Sequence, residues 1–270
     1  MNSRVARDAG AGLEARAQRA QQLSSASKSA GELFGFVAGL LRAQASAVRT
    51  LESLHAKEPL SGQWSVDGPR VIQPLLEVPR RAAERAPPPL ADEALVRVKE
   101  DPALALERLR IAWNRDPGTD YDYLSRAMLR PWLETLRANG VTPERDHLRG
   151  HCPFCGGSAS VGCRRQAEAG EGAQSRFLVC SSCGLEWSTN RILCPACFET
   201  DPHKLPSFSA SSHPAARVEA CETCRRYLKV LDLTVDARIL PEVDDMTSLA
   251  LDLWAAEQGF TRLKPGLGGV

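Results

Sequence analysis

The residues best suited to chemistry in this chain are its cysteines. All nine lie between positions 152 and 224, and eight form four Cys-x-x-Cys pairs: Cys152/Cys155, Cys180/Cys183, Cys194/Cys197 and Cys221/Cys224. A Cys-x-x-Cys turn brings two sulfurs onto one side of a tight loop, with backbone N–H groups of the turn directed at them. Two such knuckles on facing hairpins close a tetrahedron around a metal at ~2.3 Å metal–sulfur distances. The spacing repeats. There are 24 residues between Cys155 and Cys180 and 23 between Cys197 and Cys221, but only 10 between Cys183 and Cys194. The block from Cys152 to Cys183 therefore recurs as Cys194 to Cys224, which groups the pairs in sequence order into two sites.

Pro153 and Pro195 stiffen the first knuckle of each block. Gly156 and Gly184 supply the positive φ that such a turn needs after its second cysteine. Phe198 and Arg225 hold the equivalent places in the second block, so wider or strained knuckles are expected there. Two mononuclear four-thiolate sites explain the pattern best, with an iron–sulfur cluster and redox-active thiols as the alternatives. Zinc and iron both accept tetrahedral four-sulfur ligation, and the spacing does not choose between them. Cys163 is left over and is expected to pack as a small half-buried side chain. His151, His203 and His213 are expected outside the ligand sets.

Hairpins must position these turns, and the sequence around them reads as short strands. Arg176–Val179, Leu185–Ser188 and Tyr227–Leu233 are strand-like, with Leu228, Val230 and Asp232 sharing a face. After Pro241, Asp244 or Asp245 is expected to cap a last helix with the apolar stripe Met246, Leu249, Ala250, Leu253 and Trp254, ended by Gly259. The Gly- and Pro-rich tail from Lys264 is expected to be loose.

Upstream the pattern is helical. Residues 1–29 are rich in Ala, Gln, Ser and Arg and predict a frayed helix or disorder. Leu33, Val37, Leu40, Leu41, Val48, Leu51 and Leu54 predict an amphipathic helix from Gly31 to about His55. Pro59, Pro69, Pro74 and Pro79 argue against continuous helix before Arg80, with Val71, Ile72, Leu75 and Leu76 anchoring that stretch on a core. A basic patch at Arg81–Arg85 runs into the connector Pro87-Pro88-Pro89. Asp101 and Pro102 read as N-cap and first residue of a helix to Asn114. A third helix spans about Asp120 to Asn139, kinked or split at Pro131 and C-capped by Gly140.

The 270 residues carry a net charge of +1, with 43% hydrophobic and 25% charged residues, the composition of a globular protein. The apolar run Phe34–Leu41 falls far short of the ~18 residues of a bilayer span. No secretory signal is apparent before Gln22, and reduced clustered thiols suit the cytoplasm. Four-cysteine ribbons often bind nucleic acid, but residues 151–242 hold 10 basic and 10 acidic side chains, so the expected basic footprint is missing. A zinc-ribbon nucleic-acid-binding or transcription-associated protein is the alternative function, through a local patch at Arg225, Arg226 and Lys229. Four cysteines per site leave no open ligand position, which argues against a metalloenzyme.

The residues between the cysteines add a resemblance. Cys152-Pro153-Phe154-Cys155-Gly156-Gly157, Phe177 to Trp187, Arg191 to Cys197, Glu219 to Lys229, Asp244 to Asp252 and Glu257-Gln258-Gly259-Phe260 resemble the formate dehydrogenase accessory (FdhE) family. The resemblance covers Cys152 to about Arg262 and fits the N-terminal helices loosely. Gly170-Glu171-Gly172 and the tail from Lys264 to Gly269 depart from the family pattern.

Patterning and spacing predict an α+β chain: an N-terminal all-helical domain, tandem four-cysteine modules of zinc-ribbon type, which the resemblance makes rubredoxin-like, and a C-terminal helix. The expected boundaries are a flexible segment 1–29, a helical domain 30–145, ribbons at 146–190 and 191–242, and a helix and tail at 243–270. The resemblance implies a non-enzymatic cytoplasmic maturation factor that binds the catalytic subunit of respiratory formate dehydrogenase and is needed for its activity. All eight paired cysteines match the family's ligand positions. Two metal ions per chain are implied, iron by the resemblance, with zinc fitting the same donors. No nucleic acid and no membrane span are expected, and a homodimer is left open.

Overall fold

The computed structural model describes residues 9–27, 29–84, 86–114, 123–144, 150–166 and 175–269. The chain divides into two compact units, Met1–Asp146 and His147–Val270. The insertion expected at Gly170–Gly172 and the helix start expected at Asp120 lie outside the described residues.

The first unit is helical: α1 Ala9–Ala26, α2 Gly31–Lys57, α3 Trp64–Ala83, α4 Pro88–Lys99, α5 Pro102–Asn114 and α6 Tyr123–Ala138. The segment expected to fray contains α1, which buries Leu13, Ala17 and Ala20 at three- and four-residue steps. Such a small-residue stripe lets a helix approach its neighbour closely, so the helix forms without large apolar side chains. Two further expectations also give way. Helix α3 runs through Pro69, Pro74 and Pro79. An interior proline costs a helix ~3 kcal/mol or more. Here Val71, Ile72, Leu75, Leu76 and Val78 are buried, and each large apolar side chain returns ~1.5–3 kcal/mol. The prolines of the expected connector instead open α4, since a proline at the first helical positions loses no helix bond.

Other signals hold. The Asp101 carboxylate accepts the Ala103 N–H at 2.7 Å, as an N-cap should. Helix α6 departs from expectation in passing Pro131 without a split, while Gly140 beyond its end adopts φ +70°, as a C-cap glycine does. Buried Asp67 knits the unit together by accepting from the Ser61 and Gly62 N–H groups and, at 3.0 Å, from the Trp132 indole.

In the second unit, seven strands among the described residues form one sheet. They are β1 Ala159–Arg165, β2 Ser175–Cys180, β3 Glu186–Thr189, β4 Ser207–Ser209, β5 Ala216–Ala220, β6 Arg226–Asp232 and β7 Thr261–Arg262. The order β3-β2-β1-β6-β5-β4 places two antiparallel three-stranded ribbons side by side. They join where β1 pairs in parallel with β6, through Gly162 opposite Val230 and Cys163 opposite Leu231. Gly162 permits this seam, because a Cβ there would lie 2.9 Å from a Val230 methyl.

Strand β6 is buried on both faces. Tyr227 and Leu231 join one core cluster with Val161, Cys163, Val218 and Phe260. Leu228 and Val230 join another with Ala159 and Leu178. Strand alternation accounts for the division.

The C-terminal helix is not continuous. Helix α7 Pro241–Asp244 leads into a 3₁₀ turn, Asp245–Ser248, before α8 Leu249–Glu257. A 3₁₀ turn winds more tightly than an α-helix and shifts the phase of the buried face. Helix α8 therefore buries Leu251, Asp252 and Ala255, while Leu253, expected in the stripe, is exposed. Just before the tail, strand β7 pairs with β6, and within the tail expected to be loose Gly266 packs so close to Asp245 that a Cβ would sit 2.7 Å from its carboxylate. Among the described residues no helix is long and apolar enough to cross a membrane.

Candidate metal centres

In each ribbon the second knuckle sits at a strand end, Cys180 closing β2 and Cys221 following β5, the first lies in a loop, and all four share one backbone pattern. The residue after the second cysteine donates its N–H to the first cysteine's carbonyl: Gly156 to Cys152 and Phe198 to Cys194 at 2.9 Å, Gly184 to Cys180 at 3.1 Å, and Arg225 to Cys221 at 2.9 Å. All four donors have positive φ: +69° and +65° at Gly156 and Gly184, +64° at Phe198 and +57° at Arg225. The second ribbon's knuckles are therefore not wider than the first's. Their strain is conformational, since a non-glycine residue held in this region costs about 1–3 kcal/mol.

Two contacts offset that cost. The Arg225 guanidinium lies 3.9 Å from the Phe260 ring centroid and donates to the Gln258 carbonyl at 2.6 Å. The Phe198 ring packs on Gly150, where a Cβ would come within 2.5 Å of it.

The eight paired cysteines converge into two groups, Cys152, Cys155, Cys180 and Cys183, and Cys194, Cys197, Cys221 and Cys224. Within each group the sulfurs lie within 4.8 Å of one another. Cross-knuckle separations are 3.6 Å for Cys152 to Cys183 and 3.5 Å for Cys155 to Cys180. In the second group they are 3.7 Å for Cys194 to Cys224 and 3.6 Å for Cys197 to Cys221. A tetrahedron with ~2.3 Å metal–sulfur bonds has edges of about 3.8 Å, so both groups fit a four-sulfur metal site, and all eight cysteines are free thiols. Among the described residues neither group includes His151, His203 or His213.

The protonation balance points the same way. Burial opposes ionisation of Cys180, but hydrogen bonds from the Cys152, Cys155 and Cys183 thiols and the Cys183 N–H hold it well below the ordinary thiol value. The Cys152 hydrogen bond keeps Cys155 well above that value, and burial does the same for Cys183. In the second group burial pushes Cys194 up to about 11. Burial likewise raises Cys224, and a bound cation would offset the cost of ionising these raised thiols.

The groups differ in exposure. The first is wholly buried, whereas Cys197 is exposed and Cys224 half-exposed in the second. Cys163 belongs to neither. It is fully buried in the sheet's core, and burial raises its thiol to about 12.

Sequence reasoning missed the supports around the second group. Glu199 accepts from the N–H groups of Thr200 and Asp201 at 3.0 Å and from the Thr223 hydroxyl at 2.6 Å, which links the two knuckles. It also missed a buried ionic cluster behind the sheet. Lys229 meets Asp245 at 3.1 Å and Asp252 at 2.5 Å, and Arg262 meets the same carboxylates at 2.6 and 3.1 Å. Asp245 is thus no helix cap. Asp244 accepts the Leu240 N–H at 2.9 Å, at the start of α7. No periodicity or motif marks Glu199, whereas the charged residues on the apolar strand β6 and on α8 were a readable signal.

Residues 192–267 match the family described as FdhE, C-terminal domain. A protein FdhE homolog of Pseudomonas aeruginosa is 31% identical over 246 residues, covering 76% of this chain and 79% of that relative. One from Aquifex aeolicus is 35% identical over 142 residues, covering 52% of this chain and 49% of the relative, so this chain spans about half of its length. The crystal structure of the FdhE protein from Pseudomonas aeruginosa matches with a TM-score of 0.67 at 25% identity, over 96% of this chain and 95% of that one.

Proposed function

The chain belongs to the FdhE family, and from that premise we propose that it is a cytoplasmic accessory factor that binds the catalytic subunit of a formate dehydrogenase during its maturation. The observation that carries this reading is the pair of complete four-sulfur groups in a fold shared with a solved FdhE protein. Four cysteines per site leave no coordination position for a substrate, so binding rather than catalysis is the reading they support.

Cys152, Cys155, Cys180 and Cys183 would hold one ion, and Cys194, Cys197, Cys221 and Cys224 the other. Iron in these sites would supply one-electron chemistry, and zinc would supply rigidity alone. The knuckle N–H bonds and the Glu199–Thr223 link hold the sulfurs in place, and the seam between β1 and β6 keeps the ribbons in register.

The test is affinity capture of a formate dehydrogenase catalytic subunit by the tagged, metal-loaded chain from cells producing both. The expected result is a stable complex that survives high salt and is lost when Cys152 or Cys221 is replaced by serine. Absence of the subunit from the capture, together with salt-sensitive DNA or RNA binding, would replace this reading with the nucleic-acid one. Metal content and the optical spectrum of protein purified without oxygen identify the ion, since ferric–thiolate bands mark iron and zinc is colourless.

A further inference from the structure

A cavity of about 120 Å³ opens beside the second cysteine group, with Cys194 and Cys221 in its wall. That is close to the ~150 Å³ of an engineered cavity that holds benzene and below the ~300 Å³ at which cofactor and drug pockets begin. It therefore suits one small group rather than a nucleotide.

Four cations line it: Arg164 from β1, Arg176 from β2, Arg191 from the loop after β3, and Arg226 from β6. The single carboxylate among its lining residues is Glu219. Glu219 is fully engaged, with one oxygen on Arg164 at 2.7 Å and the other on Arg176 at 2.9 Å. Arg176 also donates to the carbonyls of Asn190 and Leu193 at 3.2 Å, and its Nε is buried with no hydrogen-bond partner.

Arg191 and Arg226 stand at the exposed rim, and among the described residues neither has a carboxylate partner; Arg226 only reaches the Leu263 carbonyl at 3.4 Å. Four thiolates around a divalent ion carry a net charge of −2, which offsets part of this excess. With four guanidiniums against one carboxylate, the cavity stays positive even then. Ile192, Leu205, Leu228 and Leu263 give the cavity an apolar wall beside Ser207 and Tyr227.

We propose that this cavity is a binding site for a carboxylate on a short apolar stem, its charge taken by Arg191 and Arg226 and its stem by the apolar wall. Arg164, Arg176 and Glu219 are the scaffold that holds the cavity open. Two sources offer this chemistry: a free small carboxylic acid, and an acidic side chain of a bound protein.

The test titrates the metal-loaded full chain with butyrate, with the uncharged isostere butyramide and with the blocked peptide acetyl-Ala-Glu-Ala-amide. The ¹⁵N resonances of the arginine Nε–H groups report binding. Saturable shifts at Arg191 and Arg226 with butyrate or the peptide, and at least tenfold weaker binding of butyramide, are expected for a charge-assisted contact. The double variant Arg191→Gln/Arg226→Gln, at two exposed positions, should weaken the charged probes on the order of tenfold with its metal content unchanged. Equal affinity for butyrate and the peptide assigns the site to free acids, and a much tighter peptide assigns it to a protein side chain. No saturable shift with either charged probe, or equal binding of butyramide, overturns the proposal. Loss of metal from the double variant with unchanged butyrate binding also overturns it, since the rim arginines would then serve the thiolates alone. Because the probes are small molecules and peptides, failure here leaves capture of a formate dehydrogenase subunit as a separate question.

Discussion

The Thr223 hydroxyl donates a 2.6 Å hydrogen bond to the Glu199 carboxylate, joining the two knuckles of the second cysteine group across 24 positions of sequence. The same bond, helped by the N–H groups of Asp201 and Thr200, holds Glu199 at about 2, well below the usual carboxylate range. Thr223→Val removes the clasp and keeps the shape. The metal of the second group should then dissociate several-fold faster at neutral pH, with the first group unaffected. Chelator-driven metal release followed by absorbance measures both.

Exposure separates the two centres. Cys197 and Cys224 face solvent in the second group, while all four sulfurs of the first are buried. A chelator in excess should strip the ions in two phases, the fast one from the second group. Cys221→Ser should abolish the fast phase and Cys155→Ser the slow one. A single phase with both ions leaving together would contradict this assignment.

Arg225 combines a left-handed backbone with a stacked side chain. Arg225→Gly relieves strain of about 1–3 kcal/mol and loses the contacts to Phe260 and Gln258, so its net effect should be small. Arg225→Val loses the contacts and worsens the strain, and should cost roughly 2 kcal/mol more than the glycine variant. Urea unfolding of the metal-loaded chain resolves the difference.

Lys229 is wholly buried between Asp245 and Asp252. Lys229→Met leaves two buried carboxylates with Arg262 as their remaining cation. Removing one partner of a buried ion pair costs about 3–5 kcal/mol. The loss should appear in denaturant unfolding of the second unit, with the Trp signal of the helical unit unchanged.

Cys163 gives a pH prediction. Its thiol is raised to about 12 by burial, against ~8.5 for an unfolded cysteine. A group whose neutral form is favoured by folding has no effect below the unfolded value. Above it the unfolded chain ionises first, so stability falls as pH rises from about 8.5 towards 12. Cys163→Ala should flatten that alkaline decline. At pH 8 the native chain should leave Cys163 unmodified by iodoacetamide, as peptide mass spectrometry would show.

Much of the architecture was legible where the signals are local. The Asp101–Pro102 start of α5, the long helix α2 and the strand character of β2, β3 and β6 follow from nearest neighbours and side-chain period. Expectations failed where tertiary contacts override local preference. Helix α3 passes three prolines because its apolar face is buried, and α1 forms because Leu13, Ala17 and Ala20 are covered. The phase of α8 shifts because a 3₁₀ turn precedes it, and that turn carries Asp245, held by Lys229 and Arg262.

By itself the sequence determined which eight cysteines pair and in what order, because a Cys-x-x-Cys turn is a local structure and the repeat sets its partner. It also marked the positive φ after the second cysteine at Gly156 and Gly184, whereas the structure alone showed that Phe198 and Arg225 adopt the same backbone. Only the tertiary structure decided that the two ribbons share a sheet through β1 and β6, which sulfurs lie open to solvent, and that four arginines surround one cavity. These features join residues far apart in sequence, such as Arg164 and Glu219, 55 positions from each other. Their positions depend on how the strands order themselves to bury both faces of β6, which no short stretch of the chain encodes.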